Sequence, residues 1–431
     1  MGQYFYDKQI RRFMNQFIRI FDQMYVEFGK DPTGSPILKR VPVRYADTNR
    51  VVSSILKNNS ENSALNVPMM VCYIKEIDFD RTCQFACSYC NSGYSTTWGK
   101  DIKQNGPYQK FLTTSAGAYY ADGSWSEIYG KHNENNPYVK AFLEWWPELS
   151  QTLEEIRVTG GEPSQSLNFW QFIETMKQYP SPNLRLAVNS NLGLNETSIN
   201  KLIKISPELE IKEFDLYTSN ESYGEHAEYI RDGLKYDQWR SNLVRIIEEA
   251  KVRQVVIMMT INSLCLFSIT EFLDDMLKLK KQYGANKPIV DFNILRWPAF
   301  MSPLTLPDDI KRELHGKLSI WFRRHKNNPL LNQNEKAQIQ RLIDYIGVVN
   351  RGHISTETDN EMQYHDFKSF YMQYDIRRNK NFVETFPELA DWFNSIEIDN
   401  TIADVSVTDG KISHYEPGVY VSDKENYNKR Q

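Results

Sequence analysis

From residue 71 onward the chain alternates between two periods. Over 71–79, 156–159, 184–188, 213–217, 255–261 and 289–295 it runs in short strand-like stretches rich in Val, Ile and aromatic residues. Near 166–178, 196–205, 237–252 and 269–283 apolar residues recur at three- and four-residue steps. Period two predicts strands and period 3.6 predicts helices. Strand and helix in turn imply parallel strands joined by crossover helices. About six such units make an open or partial (β/α)6 barrel of the α/β class, whose chemistry belongs at the C-terminal ends of the strands.

The flanks read differently. Ile10, Phe13, Phe17, Ile20, Phe21 and Met24 predict an amphipathic helix with Arg11, Arg12 and Arg19 towards solvent. A turn over 31–36, a strand-like piece over 41–45 and a loop over 58–63 follow. After Pro307, helices are predicted over 307–326, 334–348 and 361–373. Asp409-Gly410 within the alternating stretch 402–413 predicts a hairpin, and the polar end 422–431 predicts disorder. The expected organisation is an N-terminal extension 1–70, a core 71–300 with a long insertion 91–150, a helical region 301–395 and a polar tail 396–431. The insertion carries Trp98, Trp125, Trp145 and Trp146. A connection that long carries function or its own structure. With the helices after Pro307, it is expected to cap the open barrel and select the substrate.

Composition narrows this only a little. Hydrophobic residues are 41% and charged residues 25% of the 431, as for a globular core. A net charge of −4 gives no sign of wholesale nucleic-acid or membrane binding. No apolar run approaches the roughly 18–20 residues of a membrane span, and the first residues carry no signal-peptide pattern. Of the five cysteines, Cys72 and Cys265 stand apart while Cys83, Cys87 and Cys90 cluster. The odd count and the clustering argue against a disulfide framework and for a reducing compartment. The expectation is a soluble, cytoplasmic protein.

The clustered cysteines carry the chemistry. Their C-x3-C-x2-C spacing brings three thiolates to one centre and leaves a fourth position unfilled by cysteine. In a cubane iron–sulfur cluster that leaves one iron open to an external ligand. A structural zinc site is the alternative, but it takes four protein ligands, and the first histidine downstream is His132. A chance grouping is the other. Gly160-Gly161-Glu162-Pro163 follows a predicted strand directly. Paired glycines admit close backbone approach, and the Glu162 carboxylate can accept from an ammonium group. The plainer reading is a strand-to-helix turn with an acidic residue in the first turn.

In this order, each at a strand end, the two segments resemble the radical S-adenosylmethionine (radical SAM) superfamily over roughly residues 71–300. Cys90 to Trp98, 294–298, Leu306-Pro307, Arg377-Arg378 and 386–392 extend the resemblance towards the twitch-type branch, to about residue 395. The resemblance implies a 4Fe–4S cluster on Cys83, Cys87 and Cys90, with the amine and carboxylate of SAM on the open iron. It puts Tyr89 near the adenine, and Gly160, Gly161, Glu162 and Pro163 at the methionyl amine. Asn189 and Asn191 match the third-strand region. Ser219 matches a ribose or carboxylate contact, and Asn262 a ribose contact or a helix cap. Arg231 matches a carboxylate anchor or a helix-surface ion pair. The implied activity is reductive cleavage of SAM to a 5′-deoxyadenosyl radical that takes hydrogen from a substrate, with electrons from a flavodoxin or ferredoxin. Peptide, nucleotide, sugar and lipid substrates all stay open. Cys72 and Cys265 read as small core residues, which speaks against an auxiliary cluster.

The first 75 or so residues resemble something else. Tyr4-Phe5-Tyr6, Arg11-Arg12-Phe13, 40–45, 58–62 and 65–68 are similar to the start of the tail sheath stabiliser (tail completion) family of contractile-tailed phages. That implies a phage-encoded protein in the host cytoplasm, with contact to a phage tail through residues 1–70. It also supplies a rival: a phage structural or interaction protein carrying an inactive radical SAM-like body. An ordinary N-terminal extension is the plain alternative.

Overall fold

The computed structural model describes residues 74–113, 119, 136–347 and 357–399, together with the backbones of four outlying strands. Six parallel strands form one sheet: β1 (Ile74–Asp78), β2 (Glu155–Thr159), β3 (Ser181–Ser190), β4 (Ile211–Ser219), β5 (Gln254–Ile261) and β6 (Ile289–Ile294). They lie side by side in chain order, and β1 and β6 are the two edges. This is the partial (β/α)6 arrangement that the alternating periods predict. Every predicted core strand and helix is present, with ends shifted by a few residues.

The strands show why the sheet is one-sided. Ile156 and Val158, Leu184, Leu186 and Val188, Phe214 and Leu216, and Val255, Ile257 and Met259 are all 0–1% exposed. Each such side chain contributes roughly 1.5–3 kcal/mol by leaving water. The helices α3 (Leu167–Gln178), α4 (Glu196–Glu208), α6 (Tyr236–Glu249) and α7 (Ile269–Tyr283) supply the other half of this layer; Trp239 of α6, for instance, donates to Thr218 of β4. On β2, β3 and β4 most of the alternate positions are polar, whereas β5 carries Val256 and Met258 there. Glu155, Arg185, Glu213, Arg253 and Asp215 form a ladder of alternating charge across β2, β3 and β4. Parallel sheets covered on both faces read as continuous apolar runs, so the alternation marks a face that apolar helices do not cover.

Two expectations about the additions change. Helix α1 (Thr96–Asn105) and helix α2 (Pro137–Leu149) both fall in the stretch 91–150. But α2 is the crossover helix between β1 and β2: Phe142 and Trp146 meet Phe172 of α3 at 5.4 and 4.7 Å between ring centroids. The end of the insertion is therefore part of the barrel's own outer layer. After β6 come α8 (Asp308–His325) and α9 (Gln333–Ile346). Instead of capping the sheet's end, α9 covers its edge. Glu335 accepts from Val290 N–H at 2.9 Å, Gln338 accepts from Phe292 N–H at 2.6 Å, and Arg341 donates to Phe292 O at 2.8 Å. An exposed row of unpaired strand amides is a pairing hazard, and side chains of α9 satisfy this one. Glu335 also accepts from Lys280 at 2.7 Å, with both side chains 0–1% exposed, and completes the capping box of its own helix.

Helix α10 (Glu357–Arg378) packs behind the cysteine segment. Tyr374 OH donates to Ala86 O at 3.2 Å, and Asp366 takes the amides of Leu112 and Thr113. Trp98, Tyr108, Tyr119, Phe370 and Tyr374 form an enclosed aromatic wall there, each 0–1% exposed.

Outside the barrel, Gln23–Lys30 pairs antiparallel with Pro36–Pro42, and Ser406–Thr408 with Lys411–His414. The second is the hairpin predicted around Asp409-Gly410. The first takes in Met24, the last position of the predicted amphipathic helix. Aromatic and β-branched residues at 25, 26 and 28 favour a strand over that helical period. The other positions of that helix, Cys72 and the polar end lie outside the described residues. Cys265 is fully buried among apolar neighbours, as expected. Among the described residues, no helix is long and apolar enough to cross a membrane.

Candidate active site

The candidate residues sit at or beyond the C-terminal ends of strands, with Arg231 directly after the short helix α5 (Gly224–Ile230). The cysteine loop leaves β1 and runs to α1. Its backbone is gripped by the first turn of that helix. Ser95 accepts from Thr97 and Trp98 N–H as the N-cap and donates to Phe85 O at 2.6 Å. Thr97 Oγ1 donates to Cys83 O at 2.7 Å and Trp98 Nε1 to Cys87 O at 2.9 Å. From the other side Cys87 pairs with Arg231 in a two-residue antiparallel ladder, and Ser88 N–H donates to Ile230 O at 2.8 Å. The Phe85 ring fills the space above Gly193 and Gly233, where added Cβ atoms would come within 2.1 and 2.7 Å of it.

The Gly-Gly-Glu-Pro turn meets this loop directly. Glu162 N–H donates to Thr82 O at 2.6 Å and Gly161 N–H to Asp80 O at 3.3 Å. A Cβ on Gly161 would stand 2.4 Å from Thr82 O, and Gly160 holds φ +118 with Asp78 Oδ1 in the place of its missing Cβ. The glycines thus make room for the chain's own backbone. Pro163 opens a short 3-10 turn. The Glu162 carboxylate is 1% exposed and accepts from Ser164 N–H and Oγ, Ser190 Oγ and Asn191 N–H, the last at 2.5 Å. Burial raises its pKa, and these donors work against the rise. Glu162 therefore ties the end of β2 to the end of β3.

The remaining candidates divide. Asn191 lies at the loop: its Nδ2 is 3.8 Å from Cys83 Sγ and its Oδ1 accepts from Gln84 at 3.0 Å. Ser219 ends β4, in register with Met258 of β5. Asn262 caps the turn after β5, accepting from Leu264 and Cys265 N–H at 3.0 Å, the capping alternative of the two expected. Tyr89 and Arg231 come together around a residue the sequence did not single out. Glu221, 0% exposed, accepts from Arg231 Nη2 at 2.6 Å and from Tyr89 OH at 3.1 Å. The Arg231 guanidinium lies 5.4 Å from the Tyr89 ring centroid, and its Nη1 is 3.8 Å from Cys87 Sγ. Arg231 is 4% exposed, so it is not a helix-surface ion pair. Glu221 carries no spacing signal; only the fold brings it to Arg231.

Burial pushes the Cys87 thiol up to about 11, opposed by Arg231, and the Cys90 thiol up to about 12, with further help from Cys87. Burial also raises Cys83. Added positive charge, such as that of a bound metal, would favour their thiolate forms. The donor set fits a cluster. Phe85 N–H donates to Cys83 Sγ at 3.4 Å, and the amide of Asn191 and the guanidinium of Arg231 reach sulfur as well. Among the described residues, no three Cys, His, Asp or Glu side chains converge on a single ion.

Unpartnered polar atoms are a separate feature of this end of the sheet. Asp78 Oδ1, Asn189 Oδ1, Asn220 Nδ2 and Ser263 Oγ are enclosed without a partner. They stand at or just after the ends of β1, β3, β4 and β5. Enclosed polar atoms are nearly always bonded in native proteins, if not by protein then by water or ligand. Burial, with Asp80 and Glu76 nearby, raises the Asp78 carboxyl to about 7.

The family described as T4-like virus Myoviridae tail sheath stabiliser matches residues 4–108, about a quarter of the chain. The matched stretch runs through the cysteine loop and α1. Among solved structures, the chain is similar to anSMEcpe with bound AdoMet and a peptide: 13% identity and a TM-score of 0.34, over 59% of this chain and 62% of that one. The chain thus spans less than two thirds of the length of that relative. It is also similar to Streptococcus suis SuiB bound to the precursor peptide SuiA: 11% identity and a TM-score of 0.37, over 80% of this chain and 79% of that one. No curated protein matches.

Proposed function

We propose that the chain is a radical SAM enzyme: Cys83, Cys87 and Cys90 hold a 4Fe–4S cluster, and SAM binds beside it over the Gly-Gly-Glu-Pro turn. The observation that carries this reading is the junction between the two segments, where Glu162 N–H donates to Thr82 O at 2.6 Å, one residue before Cys83. A cysteine loop and a glycine turn from different strands share one ledge at the C-terminal end of the sheet, with unpaired polar atoms around it. When bound, the cluster would supply the electron for reductive cleavage of SAM and so the radical chemistry that takes hydrogen from a substrate.

The chain's own residues hold, orient and exclude. Ser95, Thr97, Trp98 and Tyr374 fix the carbonyls of the cysteine loop, so the three sulfurs are presented by a rigid backbone. Glu162 holds the ends of β2 and β3 together. The aromatic wall of Trp98, Tyr119 and Phe370 keeps water from the back of the loop. Asp78 and Asn189 offer acceptors suited to the methionyl ammonium group. The substrate is of unassigned class, and the electron donor is of the flavodoxin or ferredoxin type.

The family match over residues 4–108 favours a second reading, a phage tail component with an inert body. One experiment separates the two. Iron and sulfide are supplied under anaerobic conditions, then dithionite and SAM, and 5′-deoxyadenosine is measured with Cys87→Ala as control. A broad absorbance near about 400 nm with cysteine-dependent 5′-deoxyadenosine supports the enzyme. A colourless protein, or a cluster that leaves SAM intact, supports the tail component.

A further inference from the structure

Arg231 is a buried cation beside a cluster cysteine. Its guanidinium lies between the Tyr89 ring, 5.4 Å away, and Cys87 Sγ, 3.8 Å from Nη1. Its place is set twice: by the backbone ladder that pairs residue 231 with Cys87, and by Glu221, which takes Nε at 3.1 Å and Nη2 at 2.6 Å. Tyr89 OH donates to the same carboxylate and holds it in turn. Glu221 and Arg231 are 0% and 4% exposed, so solvent screens neither charge. Thr260 of β5 hydrogen-bonds Tyr89 and is uncharged, while Asp232, next along the chain, adds a second negative charge near Cys87.

We propose that Arg231 is a positioning residue that donates a charge-assisted hydrogen bond to the Cys87 sulfur and thereby sets the reduction potential of the bound cluster, with Glu221 as the counter-ion that limits the effect. The inference rests on the cluster reading above. Reduction adds negative charge to the cluster and its thiolates. A fixed cation near one sulfur favours the reduced form, and a fixed anion behind that cation opposes it. Hydrogen bonds to cluster sulfurs and local charge are established means of setting such potentials. This role differs from the carboxylate-anchor role that the sequence resemblance implies for Arg231, and the two separate cleanly by experiment.

The test is the midpoint potential of the reconstituted cluster without SAM, followed by electron paramagnetic resonance in the full chain. Arg231→Gln removes the cation and should lower the potential by about 59 mV or more, a tenfold loss of the reduced form for a one-electron couple. Glu221→Gln removes the anion and should raise it. Arg231→Lys keeps the charge but loses the planar fork, and should fall between wild type and Arg231→Gln. Should Arg231→Gln fail to fold, the opposite shifts expected of Glu221→Gln and Arg231→Lys decide the matter. Affinity for SAM is measured on the same samples. Unshifted potentials with weakened SAM binding would establish the carboxylate anchor and overturn the proposal. Shifts of the same sign in Arg231→Gln and Glu221→Gln would mean general disruption, and overturn it too. A wild-type chain that takes up no cluster at all would bring down the cluster reading itself, and this inference with it.

Discussion

Replacing Gly161 with alanine adds one methyl group where the chain's own backbone already stands. The new Cβ would lie 2.4 Å from Thr82 O and 2.6 Å from the carbonyl carbon and oxygen of Arg81. Ordinary contact begins near about 3.5 Å, so the segment 81–82 must retreat by roughly 1 Å. No side-chain rotation can absorb this, because every clashing atom is backbone. The retreat breaks the 2.6 Å bond from Glu162 N–H to Thr82 O and strains that from Gly161 N–H to Asp80 O. Overpacking costs about 1–3 kcal/mol, and a lost backbone hydrogen bond about 1 kcal/mol more. A total near 3 kcal/mol is expected from urea denaturation followed by tryptophan fluorescence. Because Cys83 follows Thr82, cluster uptake should fall as well. Gly316 in α8 is the control: nothing lies within 4 Å of its missing Cβ. The same substitution there should stabilise by about 0.5–1 kcal/mol, since glycine costs that much inside a helix. If Gly161→Ala unfolds at the wild-type urea midpoint, the close approach is not what the site requires, and the reasoning fails.

Glu335→Ala should destabilise the chain by about 3–5 kcal/mol, because it leaves the buried Lys280 charge without its counter-ion and with only Ala285 O to accept from it; the double replacement Glu335→Gln with Lys280→Met should recover most of this, and equal stability of both variants in denaturant would refute the account. Asp78 titrates near 7 in the folded chain and near about 3.9 when unfolded. The folded state therefore holds the extra proton, so stability is fully present below about pH 4 and declines as pH rises through 7. Asp78→Asn should flatten that decline in a series of urea midpoints, and parallel pH profiles for the two proteins would speak against it.

Much of the fold was legible along the chain. The six strands and their crossover helices follow from local periodicity, and the cysteine and Gly-Gly-Glu-Pro segments from spacing at predicted strand ends. Asn262 showed both of its possible roles in sequence, and the turn after β5 takes the capping one. The N-terminal stretch was harder: Met24 fits a helical period, yet the neighbouring aromatic and β-branched residues pair as a hairpin.

What the sequence by itself determined are the features set by near neighbours: element type, parallel strands joined by crossover helices, and a set of thiols within one short loop. What only the tertiary structure decided are contacts between residues far apart in the chain. Gly161 is required by Thr82, and Gly193 and Gly233 by Phe85; none of these pairs has a spacing rule. Glu221 reaches Tyr89 and Arg231 because β4 ends beside the cysteine loop, and that gives Arg231 a sulfur at one face and a carboxylate at the other. The helices after Pro307 were plain as helices, but their task was not. The sheet's edge at β6 leaves amides without a strand partner, and packing brings Glu335 and Gln338 to them. Periodicity records which face of an element is apolar; it holds no information on which distant polar group an enclosed side chain will meet.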